Sequence, residues 1–437
     1  MDTVFALSSG AGIAGVAVIR VSGPDVRDGL RAMIGRLPEP RRALLTDIRD
    51  ARDQVLDRGL VLFFEGPHSF TGEDCAELQI HGGHAVVAAV LASLSELDGF
   101  RSAEPGEFTR RAFENGKMDL TEVEGLADLI AAETEMQRRM AIEQSSGALS
   151  QLYDGWRKDL IRIRAMIEAD FDFADEEDVP GSVADTIWPE VATLGQTMKD
   201  HLQAANAGEI IRDGYRVVIA GAPNAGKSSL LNALAKRDVA IVSEEQGTTR
   251  DVLEVRLDIA GYPMVLYDTA GLRDGAGAIE AEGIRRALAT AKAAHLVLYL
   301  EDMTLTNAAN PLPALDVPVI RVGSKSDLSE QRSVADFDCC ISVRSDVGLD
   351  GLMALLRDRV DAAGGNLLSA LPNRQRHREY LTRCLAHLDD AVKNDSVPLE
   401  LRSESLRHAA DWLGRLTGRI DVEDLLDLIF GEFCIGK

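Results

Sequence analysis

The sequence predicts an α/β multidomain protein: an α+β N-terminal domain, a helical-bundle domain, and a mostly parallel α/β domain inserted into the helical one. Three observations predict it. The apolar, β-branched run Val217-Val218-Ile219-Ala220 reaches a glycine-rich turn and continues into the helical pattern Leu230, Leu231, Leu234. Long helical periodicity flanks this stretch on both sides, and short strands mixed with a few helices precede everything. The shifts set boundaries at 1–115, 116–210, 211–366 and 367–437, with the second and fourth segments as two parts of one helical domain. Insertion at an exposed loop is tolerated because chain ends of a domain often lie close together.

At 437 residues there is chain enough for several cores, and an apolar content of 46% with 27% charged residues is globular. No apolar run reaches the roughly 18 residues of a membrane span. The start, MDTVFALSSG, lacks a basic lead ahead of its apolar residues, against a signal peptide. Five scattered cysteines, Cys75, Cys339, Cys340, Cys384 and Cys434, suit a reducing cytoplasm. The net charge of −24 argues against broad contact with a nucleic-acid backbone by this chain alone.

In the first region, residues 3–7 and 16–21 read as strands joined by the glycine-rich SSGAGIAG, and Arg20 closes the second. Cys75-Ala-Glu-Leu-Gln-Ile80 alternates and runs into HGGH and the helical AVVAAVLASL. His68, Cys75, His81 and His84 do not make a compact zinc quartet, so a strand–turn–helix accounts for them better. After PGEFTRRAFENGKMDL a helix opens near Thr121, and Thr121 with Glu124 fits a capping box. Leu126, Leu129 and Ile130, then Leu160, Ile163 and Ile167, have the spacing of bundle packing. The acidic run DFDFADEED, 170–178, lacks the glycine and closing glutamate of a calcium loop and reads as a solvated helix end.

The inserted region carries the chemistry. Gly221, Gly226, Lys227 and Ser228 fit G-x-x-x-x-G-K-[ST] after a strand and before a helix. The glycines let backbone N–H groups of Asn224, Ala225, Gly226 and their neighbours, on to Ser229, close around phosphate oxygens. The helix start adds a favourable dipole. Lys227 would reach the outer phosphates and Ser228 would offer its hydroxyl to Mg²⁺. Next come Ser-Glu-Glu-Gln-Gly-Thr-Thr, 243–249, and Asp268-Thr-Ala-Gly271 directly after a strand. In this order they form the switch arrangement of a Ras-like P-loop GTPase: Thr249 on Mg²⁺, Asp268 on its water shell, the Gly271 N–H on the γ-phosphate. Ser324-Lys325-Ser326-Asp327 stands where such proteins carry Asn-Lys-x-Asp. Asp327 keeps the carboxylate that accepts two hydrogen bonds from guanine, while Ser324 loses a brace worth roughly 1 kcal/mol. Ser342 and Val343 follow CCI where a backbone N–H would meet the guanine oxygen.

GxxGxAVIRVSG, SFTGEDCAELQIHGG, PGEFTRRAFENGKMDL, APNAGKSSLLN, GTTRD, DTAGLR and the terminal FCIGK together resemble the MnmE (TrmE) family of tRNA-modification GTPases, over nearly the whole chain. The resemblance implies a GTPase, a hydrolase acting on GTP, switched on when two G domains dimerise around K⁺. Leu272 stands where Ras-like proteins carry a water-orienting glutamine, so another device is needed. Asn224 matches the family's K⁺ ligand, the loop with Ser243, Glu245 and Thr248 would wrap the ion, and Glu280 matches the glutamate that orients attacking water. The first region resembles the family's folate-binding and dimerisation domain. Arg20, Glu77, Lys117 and Lys437 match its positions for 5-formyltetrahydrofolate or another tetrahydrofolate one-carbon derivative. Cys434 would lie toward that pocket, either taking part in modification or as a buried thiol. The family implies a homodimer, a flavoprotein partner (MnmG), tRNA as substrate, and an aminomethyl or carboxymethylaminomethyl group placed on carbon five of the wobble uridine. Two other readings stay open: a ribosome-assembly GTPase switch, which calls for a basic RNA-binding module, and a folate-dependent one-carbon transferase with a regulatory G domain.

Overall fold

The structure, a computed structural model, describes residues 2–10, 12–172, 184–237, 239–241, 254–268, 294–305, 317–328, 333–364, 370–393, 397–420, 426, 429–431, 433 and 435–436. The chain forms two compact units. The first comprises Met1–Ala127, Gln144–Arg162 and Ala410–Lys437, the second Asp128–Glu143 and Ile163–Ala409.

In the first unit, β1 (Thr3–Leu7), β2 (Ala14–Ser22), β3 (Leu44–Arg49), β4 (Val55–Phe64), β5 (Cys75–Gly82) and β6 (Phe100–Ser102) form one sheet. The order is β3-β4-β5-β2-β1-β6. Only the β1–β6 pair is parallel. Period-two alternation, read in the sequence for β5 and present also in β2 and β4, is why one face is dry: Ile19, Val21, Val61, Phe63, Leu78 and Ile80 pack in one cluster. Helices α1 (Val26–Ile34) and α2 (His84–Ser95) add Leu30, Met33, Val90 and Leu94 to it. His81 pairs with Asp57 through Nδ1 at 2.8 Å, and the buried Cys75 thiol lies 3.1 Å from the Thr71 hydroxyl.

Helices α3 (Glu107–Glu114), α4 (Leu120–Ala131), α5 (Glu135–Ser145) and α6 (Ala148–Asp172) follow. The expected capping box at Thr121 and Glu124 is displaced by two residues. Asp119 Oδ1 accepts from the Thr121 N–H, the Glu122 N–H and the Thr121 hydroxyl at 2.8–3.0 Å, while Glu122 Oε2 accepts from the Asp119 N–H at 2.8 Å. The carboxylate of Asp119 captures the free N–H groups of the first turn, so Thr121 donates its hydroxyl instead of accepting.

Glu107 anchors the same unit. It receives Arg101 Nη2 at 2.7 Å, Arg111 Nη2 at 2.9 Å and the Glu104 N–H at 2.9 Å. Burial works against its charge, but these donors outweigh it and hold the carboxyl at about 2, against 4.5 ordinarily. A depressed carboxylate stabilises the fold fully above pH 4.5, and that contribution drains away as pH falls toward 2. We expect Glu107→Gln to cost on the order of 3 kcal/mol at pH 7 and to flatten the acid limb of the unfolding curve. Parallel acid limbs for variant and wild type would contradict it. The chain's C-terminal end closes the unit: Ile435 bridges Pro105, and the Ser8 hydroxyl donates to the Gly436 carbonyl at 2.8 Å. Near that end Phe430 is buried against Leu120 and Val123.

The second unit holds α7 (Ala184–Gln203), α8 (Ala205–Asp213) and a second sheet of β7 (Tyr215–Gly221), β8 (Glu254–Ile259), β9 (Tyr262–Asp268), β10 (Leu296–Asp302), β11 (Val319–Ser324) and β12 (Cys339–Cys340). Its order is β12-β11-β10-β7-β9-β8, parallel except for β8. Helix α9 (Lys227–Ala235) follows β7, and α10 (Leu349–Gly364), α11 (Gln375–Lys393) and α12 (Leu399–Leu416) complete the described elements. Valine, isoleucine and leucine fill the central strands because parallel strands are covered on both faces. Between β7 and β10 the chain order reverses, and ligands of open α/β sheets bind at the carboxyl ends beside such a point.

Residues 128–137 grip this sheet's outer hairpin and its root. Glu133 Oε2 meets Arg256 Nη1 of β8 at 3.3 Å, and the Met136 N–H donates to the Gly261 carbonyl at the β8–β9 turn at 3.0 Å. Asp128 accepts from Arg212, which precedes β7, at 3.2 Å, and from Asn373 and Arg374, which precede α11, at 3.0 and 2.8 Å.

Candidate functional site

The glycine-rich turn leaves β7 at the sheet's centre. Gly221 has φ +143°, and a Cβ there would stand 2.2 Å from the Leu300 carbonyl oxygen of β10. Close backbone approach therefore demands this glycine, in addition to the phosphate geometry read from the sequence. Asn224 (φ +63°) and Gly226 (φ +94°) also lie on the left-handed side, which curls the loop back over the start of α9. Ala225 is buried beneath it, while Asn224 and Ser229 are exposed.

Lys227 is buried, and its ammonium donates to the Gly221 and Ala222 carbonyls at 3.1 and 2.9 Å. The Ser228 hydroxyl donates to Asp268 Oδ2 at 2.6 Å, so the end of β9 faces the first turn of α9. A hydroxyl and a buried carboxylate in contact are a hard-oxygen pair of the kind that holds Mg²⁺, directly and through water. They fit the ion implied by the motif.

A cavity of ≈ 290 Å³ opens next to the loop, lined by Gly226 and Ser229 on one side and by Ser324, Lys325, Asp327, Ser342 and Val343 on the other. The structure thus brings together the expected base-side residues, with Leu300, Leu328, Ile341 and Arg344 completing the wall. The sheet accounts for the meeting: β11 ends at Ser324, and β12 leads into Ser342 one strand further out. Ser324 donates its hydroxyl to the Glu301 carbonyl at 3.2 Å, and Lys325 reaches Asp302 Oδ2 at 2.6 Å. Sequence reasoning missed both partners, the Glu301 main-chain carbonyl and the Asp302 carboxylate. Only Asp302 left a signal, as the acid that ends LVLYLED beside the guanine motif.

Of the remaining expected nucleotide, metal and catalytic residues, Ser243, Glu245, Thr248, Thr249, Gly271 and Glu280 lie outside the described residues. So do Cys434 and Lys437.

In the first unit Arg20 and Glu77 are cross-strand partners on β2 and β5, and their side chains pair at 3.0 Å. The Arg20 guanidinium lies over the rings of Phe70 and Phe108, at 5.1 and 5.8 Å from their centroids. A carboxylate with spare lone pairs beside an aromatic platform fits a flat heterocycle carrying adjacent N–H donors. Lys117 has a separate anchor, its ammonium donating to the Pro67 carbonyl at 3.0 Å.

A family profile described as the MnmE helical domain matches residues 120–434, and one described as the GTP-binding protein TrmE N-terminus matches residues 3–117. The chain belongs to the MnmE family. Curated relatives extend the likeness over the full length. The tRNA modification GTPase MnmE of Rhizobium johnstonii is 56% identical over 436 residues, covering 100% of this chain and 99% of the relative. That of Rhizobium etli is 57% identical over 440 residues with the same coverage, and that of Chelativorans is 55% identical over 436, covering 100% and 98%. By family the chain is a GTP hydrolase, and the MnmE fold accounts for both sheets and the helices around them. Among the described residues no helix is long and apolar enough to cross a membrane.

Proposed function

We propose that this chain hydrolyses GTP in a K⁺-dependent G-domain dimer and uses the cycle to drive modification of the wobble uridine of tRNA. The observation that carries the reading is the arrangement around α9: Ser228 against Asp268, Lys227 over the loop, and the base cavity running from Gly226 to Asp327. Lys227 would bind the outer phosphate oxygens, Asp327 would select guanine by its paired N–H donors, and the loop N–H groups would orient the triphosphate. Mg²⁺, held by Ser228 and Thr249 with Asp268 on its water shell, would neutralise charge on the phosphates. Asn224, on the exposed rim of the loop, would ligate K⁺ with help from Ser243, Glu245 and Thr248, and Glu280 would orient water. The β8–β9 hairpin lies in the chain between Thr249 and Asp268; Glu133 holds its first strand at Arg256 and Met136 holds its turn at Gly261. That grip supports passage of the hydrolysis stroke into the helical segment 128–143.

With the family's flavoprotein partner MnmG, and a tetrahydrofolate one-carbon derivative held by Arg20, Glu77, Lys117 and Lys437 in a cytoplasmic homodimer, the product would be an aminomethyl or carboxymethylaminomethyl group on carbon five. The acidic net charge of −24 supports leaving most of the tRNA contact to a partner. Turnover should be several-fold faster in KCl than in NaCl, and Asn224→Ala should erase the difference. Equal rates of the intact chain in both salts would remove the cation from the mechanism. A wobble uridine left bare in a strain supplied with this chain and the flavoprotein would remove the tRNA assignment.

A further inference from the structure

The guanine motif of this chain carries serine where Ras-like GTPases usually carry asparagine. An asparagine amide offers two donors and an acceptor for bracing a loop; a serine hydroxyl offers one donor. Ser324 is buried and spends its donor on the Glu301 carbonyl at 3.2 Å, so its side chain ties the motif to β10. The following residue, Lys325, sits at φ +58°, a left-handed conformation uncommon for a side-chain-bearing residue and kept only where surroundings impose it.

Those surroundings converge on the end of β10. Asp302 pairs with Ser324 in the β10–β11 register, and its Oδ2 accepts from the Lys325 ammonium at 2.6 Å. Its Oδ1 accepts from the Thr304 N–H at 3.0 Å and the Thr304 hydroxyl at 2.7 Å, so the carboxylate is fixed from the far side too. The Asp302 side chain is only 10% exposed, against 37% for Lys325, which makes the acid the anchored partner. Burial opposes its charge, yet the donors from Lys325 and Thr304 hold its carboxyl below the ordinary range. From Lys325 the backbone turns straight into the short helical turn Ser326–Leu328, closed by Leu328 N–H to Lys325 O at 3.0 Å, and that turn carries Asp327 into the cavity wall.

We propose that Asp302 is the positioning residue of the base site: through Lys325 it sets where Asp327 stands, replacing the brace that Ser324 cannot give. Guanine discrimination in this chain then depends on a carboxylate outside the motif. The inference rests on the GTPase reading above and concerns the same site.

The test compares GDP with inosine diphosphate, which lacks the exocyclic amino group and so forms only one of the two bonds to Asp327. Binding to the full chain is measured by displacement of a fluorescent GDP. In Asp302→Ala the GDP Kd should rise roughly tenfold, as for loss of a charge-assisted contact, while the inosine diphosphate Kd rises less, so the ratio of inosine diphosphate Kd to GDP Kd falls. The KM for GTP should rise in parallel, with kcat at saturating GTP in KCl held within about twofold. Adding Ser324→Asn to Asp302→Ala should recover most of the GDP affinity and the ratio, because the brace is restored from the other side.

An unchanged GDP Kd in Asp302→Ala overturns the proposal, as does a weaker Kd with an unchanged ratio and a lowered Tm, which would mark an ordinary structural ion pair. Failure of Ser324→Asn to recover either quantity overturns the claim that the two residues substitute for one another. Wild-type protein that does not prefer GDP to inosine diphosphate would instead strike the guanine-site reading itself, so the two failures are distinguishable.

Discussion

Alanine at Lys227 is expected to lower GTP turnover by about 10²- to 10³-fold, the usual effect of removing a preorganised donor from charge that develops in a transition state. Its ammonium, buried with the rest of the residue, is held by the Gly221 and Ala222 carbonyls at 3.1 and 2.9 Å. It is therefore placed before nucleotide arrives and loses little entropy when a phosphate does. Arginine should not rescue, because a planar fork cannot occupy a point-charge site enclosed by the loop. Steady-state hydrolysis with a melting curve on the same sample checks this. A properly folded variant retaining more than a tenth of the wild-type rate would take Lys227 out of the phosphate site.

Alanine at Gly221 and alanine at Gly226 should fail in different ways. At Gly221 the new Cβ would meet the Leu300 oxygen at 2.2 Å in the middle of the sheet, and the φ of +143° suits only glycine. Backbone must move, since neither strand has a flexible side chain at the contact. The cost is about 3 kcal/mol or more, with loss of the cooperative unfolding of this sheet. At Gly226 the space is open and only the φ of +94° is violated, a strain of about 1–2 kcal/mol. That variant should fold and bind GDP poorly. Thermal unfolding and GDP binding measured side by side separate the two, and equal melting temperatures would refute the close-approach argument.

Much of both sheets follows from signals the residues carry locally, although β3, β4 and β6 were not among the strands expected. Alternation in β5 and the apolar runs of β7, β9, β10 and β11 specify strands, and the turn from Gly221 to Ser228 has the spacing of a phosphate loop. The base-side residues were equally legible, since each follows a strand end and parallel strands deliver their ends to one edge of the sheet. Other features were not. Thr121 looked like a cap because the pattern S/T-x-x-E was satisfied, but Asp119 two residues earlier is the stronger acceptor. The pairing of Arg20 with Glu77, 57 positions apart, is fixed by the register of β2 on β5, and no local spacing encodes it.

The sequence by itself determined what kind of chemistry this chain is built for, because the phosphate-loop and guanine motifs are contiguous strings recognised by local spacing. Only the tertiary structure decided which side chains stand behind those strings: Leu300 against Gly221, Asp302 behind Lys325, Glu133 and Met136 on the β8–β9 hairpin. Such partners are chosen by strand order and packing across dozens of residues. Their identity therefore appears when the chain is folded and not in any stretch of it.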